Sequence, residues 1–217
     1  NIMTFDTRVY AKLSIAEGPE PKIDIDGTVV EFEQVGNLSS KSGYHGRAYK
    51  NLSTGEIVVV HEGSQDLSHN VLQNWDKVVS DWGVTNTTLA AGFIPEQFYD
   101  AFNFLNDVIA NNPGTTIIQD GQSLGGTLAQ MLGSLEVYKD IETITFNPYG
   151  SKCLQDNLEK AGFFLSDDNS NITNYSTNKE IVTNLREQVG DTYEATNGPK
   201  YSHNVEAHIE EDLHYEL

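Results

Sequence analysis

Lysine and arginine are scarce in this sequence, 13 against 32 aspartates and glutamates, for a net charge of −19. That balance argues against a nucleic-acid partner, because neutralising phosphates takes clustered cations. Electrostatic adsorption to an anionic membrane is disfavoured for the same reason. Cysteine is nearly absent, and the lone Cys153 excludes an internal disulfide framework. No apolar run approaches the length of a membrane-spanning helix. The N-terminal residues lack the basic-then-apolar pattern of a signal peptide, and the chain starts at Asn1 rather than Met, as a processed or excised piece does. Any contact with lipid therefore falls to apolar side chains around a site. At 217 residues one compact domain is expected.

What is present is a strong turn signal near the middle. The β-branched run Thr115-Thr116-Ile117-Ile118-Gln119 leads into Gly121-Gln122-Ser123-Leu124-Gly125-Gly126, and Thr127-Leu128-Ala129-Gln130-Met131-Leu132 follows as a good helix former. A strand, a Gly-x-Ser-x-Gly turn and a helix form the context of a nucleophile elbow. Ser123 would then project its hydroxyl at a helix N-terminus, where free N–H groups favour a developing oxyanion. Gly121 and Gly125 are required wherever a Cβ would strike the neighbouring strand or helix.

Around the elbow, strands alternate with helices. Strands are expected at Lys22–Ile25 and Thr28–Phe32, split by Asp26-Gly27, and at His45–Lys50 and Glu56–His61, joined by a turn over Asn51–Gly55. Helices are expected at Val71–Trp82 and at Pro95–Asn111, the latter closed by Pro113-Gly114. Further on come strand Ile141–Phe146, helix Leu154–Ala161, strands Ile172–Ser176 and Thr192–Ala195, and a helical tail from His203 to His214. Residues 1–40 otherwise read as polar and irregular, an N-terminal extension of unassigned role. The alternation implies an α/β fold, a mostly parallel sheet with helices on both faces.

A serine needs a base, and the base an orienting acid. In the elbow fold these follow in the order serine, acid, histidine. His203, in a loop after Gly198-Pro199, is the first candidate for the base, with His208 as the second. Glu180, just past strand Ile172–Ser176, is the first candidate for the acid, and Asp191 its rival. Two donors must form the oxyanion hole. The N–H of Leu124 supplies one; Ser64, in Val60-His61-Glu62-Gly63-Ser64 after an earlier strand, suits the other. His203, His208 and the nearby carboxylates match no compact zinc signature, and no metal or cofactor is expected.

Taken in order, Glu62-Gly63-Ser64, Asn74-Trp75, Gly92-Phe93, the Gly121–Gly126 elbow, Thr145-Phe146-Asn147-Pro148, Asn178–Val182 and His203-Asn204-Val205-Glu206 resemble the class 3 (fungal-type) lipases. Those enzymes carry Arg-Gly-Ser/Thr, Asn/Asp-Trp, Gly-Phe, Gly-His-Ser-Leu-Gly-Gly, Thr-Phe-Gly-x-Pro, Asp-x-Val and His-Ser-x-Glu. The match runs from about Tyr44 to Glu210 and implies a single α/β-hydrolase domain over residues 1–217. It further implies a Ser123–Glu180–His203 triad, with Ser64 and Leu124 as oxyanion donors, acting on carboxylic esters of lipids. Gln65–Val71, with Leu67, Val71 and Leu72, lies where those enzymes place a lid, which implies transient contact with a lipid interface. Bacterial phospholipase effectors delivered into rival cells share the general pattern, and such a role would add secretion and an immunity or delivery partner. Three positions depart from it: Glu62 for arginine, Gln122 for histidine and Glu180 for aspartate. The alternatives are an esterase for small soluble esters and a catalytically silent hydrolase fold used for binding.

Overall fold

The computed structural model describes residues 6–62, 94–177, 187–195 and 215–216. Among the described residues nine strands form one sheet whose spatial order is the chain order. Strands β1 (Lys22–Ile25), β2 (Thr28–Ser39), β3 (His45–Asn51) and β4 (Ile57–Glu62) make an antiparallel meander. From β4 the sheet turns parallel through β5 (Ile117–Gln122), β6 (Glu142–Phe146), β7 (Ile172–Ser176) and β8 (Asp191–Ala195). A short antiparallel strand, β9 (Tyr215–Glu216), closes the edge beside β8.

Helices α2 (Glu96–Asn111), α3 (Ser123–Gly133) and α4 (Gln155–Lys160) cover one face; α1 (Thr7–Ser14) covers the other. The strand Ile57-Val58-Val59-Val60 shows why its sequence does not alternate. Ile57 and Val59 pack with α2 and α3, while Val58 and Val60 pack with α1. Both faces are dry, so both parities must be apolar. Burial of these two layers supplies the main driving force for the sheet.

Each strand expected from the sequence within the described residues is present to within a few residues, except that β2 runs seven residues past the expected Phe32 to Ser39, and helices α2 and α4 are present as expected. The helix expected at Val71–Trp82 and the tail from His203 to His214 lie outside the described residues. The N-terminal region differs from expectation. Its two expected strands join the same sheet, and ahead of them, in place of irregular chain, it builds α1. Asp6 caps α1 by accepting from the Arg8 N–H at 3.0 Å, and Val9, Tyr10 and Leu13 bury one face. An eight-residue helix has too few turns for its periodicity to stand out; tertiary burial makes it stable.

Candidate active site

The elbow is explicit in the backbone. Gln122 ends β5 in an extended conformation (φ −120°, ψ 149°), and Ser123 takes φ 54°. Serine in the left-handed region is strained by roughly 1–3 kcal/mol, and α3 starts at that residue. Close approach on both sides explains the glycines. A Cβ on Gly121 would lie 2.6 Å from the carbonyl carbon and oxygen of Gly125, and one on Gly125 would lie 2.0 Å from the His61 carbonyl oxygen. The first turn of α3 is therefore wedged between β5 and the end of β4. Ser123 stays part-exposed, while Leu124 behind it is buried. The N–H of Leu124 belongs to the first turn, whose amides have no partner within the helix.

Residues beyond β6 brace the serine. Thr127, one turn into α3, accepts from the Tyr149 N–H at 3.0 Å and sets its hydroxyl 2.8 Å from the Tyr149 carbonyl. Tyr149 is fully buried. Burial pushes its phenol up to about 12, and the polar side chain of Ser123 pulls the other way. The phenol is thus neutral beside Ser123. Sequence reading did not single out Tyr149, because nothing in Pro148-Tyr149-Gly150 announces a partner 26 residues earlier.

Beneath the elbow a chain of side chains crosses three strands. The Tyr44 hydroxyl lies 2.7 Å from His61 Nδ1, His61 Nε2 lies 2.8 Å from Gln119 Oε1, and Gln119 Nε2 donates to Thr143 Oγ1 at 3.0 Å. Burial drives the His61 imidazole down to about 4, opposed by its bond to Gln119. A neutral ring protonated on Nε2 satisfies every link in one direction, from the tyrosine hydroxyl to the threonine.

On the opposite face Asp120, the next residue of β5, is wholly buried under α1, and neither carboxylate oxygen has a side-chain partner. Burial holds its carboxyl well above the ordinary range, against the Gly121 N–H and the charge of Arg47. Glu62, one of the departures from the lipase pattern, is met by a cation from the neighbouring strand. Its Oε2 lies 3.5 Å from Arg47 Nη2 and 3.4 Å from His45 Nδ1. Arg47 also donates to the carbonyls of Ser14, the last residue of α1, and Ala16, two residues beyond it.

Register locates the remaining candidates. Gln122, Phe146, Tyr175 and Tyr193 lie in one row across β5 to β8. Asp120, Ile144, Thr173 and Asp191 lie in a row two residues lower. Asp191 is therefore exposed at the start of β8, about 14 Å across the sheet from β5 and below the level of Ser123. Thr177, by contrast, follows β7 at the same edge as the serine. The Ala195↔Tyr215 pair likewise holds both ends of segment 196–214 at that edge. Ser64, Glu180, His203 and His208, with the lid candidate Gln65–Val71, lie outside the described residues. Among the described residues no group of three or more histidine, cysteine or acidic side chains is placed to hold a metal.

A parallel sheet extended by antiparallel strands, with a strained serine where the central strand meets a helix, is the α/β-hydrolase fold. No protein-family model matches the chain, and no curated protein sequence matches it either. Among solved structures it is similar to the lipase Lip2 of Yarrowia lipolytica, with a TM-score of 0.51 and 17% identity over 87% of this chain and 77% of that one. A triacylglycerol lipase of Penicillium expansum matches at TM-score 0.45 and 12% identity, over 92% of this chain and 78% of the other. The resemblance to the class 3 lipases thus holds at the level of the fold.

Proposed function

We propose that this chain is a serine hydrolase of carboxylic esters, acting on lipids in the manner of a lipase or a phospholipase of A1 type. The observation that carries this reading is the elbow: a part-exposed Ser123 at φ 54°, at the N-terminus of α3, in a fold shared with Lip2 lipase. Ser123 attacks the acyl carbonyl while His203 takes its proton and returns it to the leaving alcohol. Glu180 orients the imidazole and stabilises its charge. The N–H of Leu124 and a donor from Ser64 hold the oxyanion, and water then releases the fatty acid from the acyl-enzyme.

Reach supports these assignments. Glu180 stands three residues past Thr177, a span of at most about 11 Å of extended chain. Asp191 starts its strand below the serine, so Glu180 is the better acid. Ser64 is two residues past Glu62, whose Cα lies against the first turn of α3 at Gly125. His203 is favoured over His208 by its Gly-Pro-led loop, and both belong to a segment tethered at the serine's edge.

The test is hydrolysis of p-nitrophenyl butyrate, p-nitrophenyl palmitate and phospholipid vesicles by the wild type and by Ser123→Ala. The expected result is a wild-type activity that falls about a thousandfold or more in the variant. Preference for palmitate and vesicles supports the lipid reading; preference for butyrate alone replaces it with a small-ester esterase. A wild type no faster than its variant on all three substrates overturns catalysis altogether and leaves a binding fold.

A further inference from the structure

The residue after β6 adopts a costly conformation and makes a contact that uses it. Asn147 has φ 47°, a region that asparagine tolerates better than most residues with a side chain, though less readily than glycine. Its N–H donates to the Tyr175 carbonyl at 2.8 Å, which fixes it beside β7. Its side-chain Oδ1 accepts from the Thr177 N–H at 2.9 Å and lies 3.4 Å from the Thr177 hydroxyl. Both residues are buried, at 3% and 1% exposure, so this is an anchored point rather than a surface contact. Thr177 stands three residues before Glu180.

A second anchor holds the chain where it returns. Gln130, two turns into α3 from Ser123, accepts through Oε1 from the Val189 N–H at 3.0 Å and from the Ser151 N–H and hydroxyl at 3.0 and 2.8 Å. Its Nε2 donates to Gln188 Oε1 at 2.7 Å and to Asn174 Oδ1 at 2.9 Å. Thr177 and Val189 are thus fixed to the same body that carries the nucleophile.

We infer that Asn147 is a positioning residue for the orienting acid: by fixing Thr177 it sets the point from which the Glu180 carboxylate approaches His203. This rests on the reading of Glu180 as the acid. Glutamate reaches one methylene further than aspartate and has one more rotatable bond. Its carboxylate is therefore well placed only if the backbone behind it is firmly held, and small misplacements of a catalytic group are expensive in rate. The left-handed turn at Asn147 carries the side-chain oxygen to the one place where it meets both Thr177 donors.

The experiment compares Asn147→Gly, Asn147→Asp, Glu180→Ala and the double variant Asn147→Gly/Glu180→Ala on p-nitrophenyl butyrate. Glycine and aspartate both accept the backbone conformation, so the single variants at Asn147 keep the fold, as thermal melting checks. Asn147→Gly is expected to lower kcat about tenfold with KM within about twofold. Asn147→Asp, which keeps the acceptor, is expected to hold kcat within about threefold of wild type. In the Glu180→Ala background Asn147→Gly is expected to cost nothing further, because the group it positions is gone. A wild-type kcat in Asn147→Gly, or a full tenfold loss repeated in the Glu180→Ala background, overturns the inference and leaves the acid assignment standing. A wild-type kcat in Glu180→Ala overturns the acid assignment and the inference together.

Discussion

The two halves of the site are held by different means. On the serine side the main chain does the holding: β5, the first turn of α3 and the end of β4 approach so closely that Gly121 and Gly125 admit no Cβ. On the side of the proposed acid, around Thr177 and Val189, the holding is done by amide and hydroxyl side chains. Asn147 grips Thr177, and Gln130 grips Ser151, Gln188 and Val189. Backbone packing tolerates almost no substitution and is set within the elbow and by the adjacent strand. A side-chain network can be loosened one bond at a time and joins residues far apart.

The sharpest way to break this contrast is Gly125→Ala. A methyl group 2.0 Å from the His61 carbonyl oxygen has no flexible neighbour to displace, so loss of folded protein is expected, read as soluble yield and far-ultraviolet circular dichroism. On the other side, Gln130→Leu keeps the volume and strands the buried N–H groups of Ser151 and Val189. At about 1–3 kcal/mol for each stranded donor, a loss of about 3 kcal/mol is expected in denaturant unfolding, with the fold retained. An unfolded Gln130→Leu or a stable Gly125→Ala would erase the distinction.

Acid should also separate the halves. His61 is held near 4, below the ordinary value of 6.5. The unfolded chain therefore binds a proton below about pH 6.5 that the folded chain refuses until about pH 4. Its stabilising contribution is complete above 6.5 and is lost as pH falls, amounting to about 2 kcal/mol by pH 5. The hydrogen-bonding side chains named for the acid-side anchors are all amides and hydroxyls. In an Asp120→Asn background, which removes the opposing carboxyl of β5, hydrogen-exchange protection is therefore expected to fall at β4 and β5 before β7 and β8 as pH drops from 7 to 5; the reverse order would count against the assignment.

The smallest effect should come from Asp120→Asn. Asp120 titrates above its ordinary range among Val60, Ile118 and Ile144, with Tyr10 of α1 and Arg47 of β3 as the charged or titratable groups facing it. A raised carboxyl contributes most at low pH, and the contribution is lost as pH rises past the unfolded value. The asparagine variant should gain on the wild type in melting temperature between pH 5 and pH 9. A constant gap would mean that Asp120 is not titrating.

What the sequence made legible follows the same division. The elbow could be read because strand, turn and helix are contiguous, and each glycine is required by a neighbour within a few residues or by the adjacent strand. Tyr149, Gln130 and Asn147 could not, because each meets a partner at least 26 residues away and an isolated amide or phenol carries no periodicity. The departure at Glu62 was visible, but its answer was not, since Arg47 reaches it only through the pairing of β3 with β4. Helix α1 was missed because its apolar positions acquire meaning only against the row Val58, Val60 and Ile118 that they cover.

The pairing of Ala195 with Tyr215 has an evolutionary corollary. A stretch of chain that departs from and rejoins a sheet at adjoining backbone positions makes few demands on the sheet between those two points. Each doubling of such a stretch costs only about 0.6 kcal/mol in closure entropy. The sheet thus fixes the points where segment 196–214 leaves and rejoins it, so lineages could diversify the length and composition of that segment while inheriting the sheet unchanged.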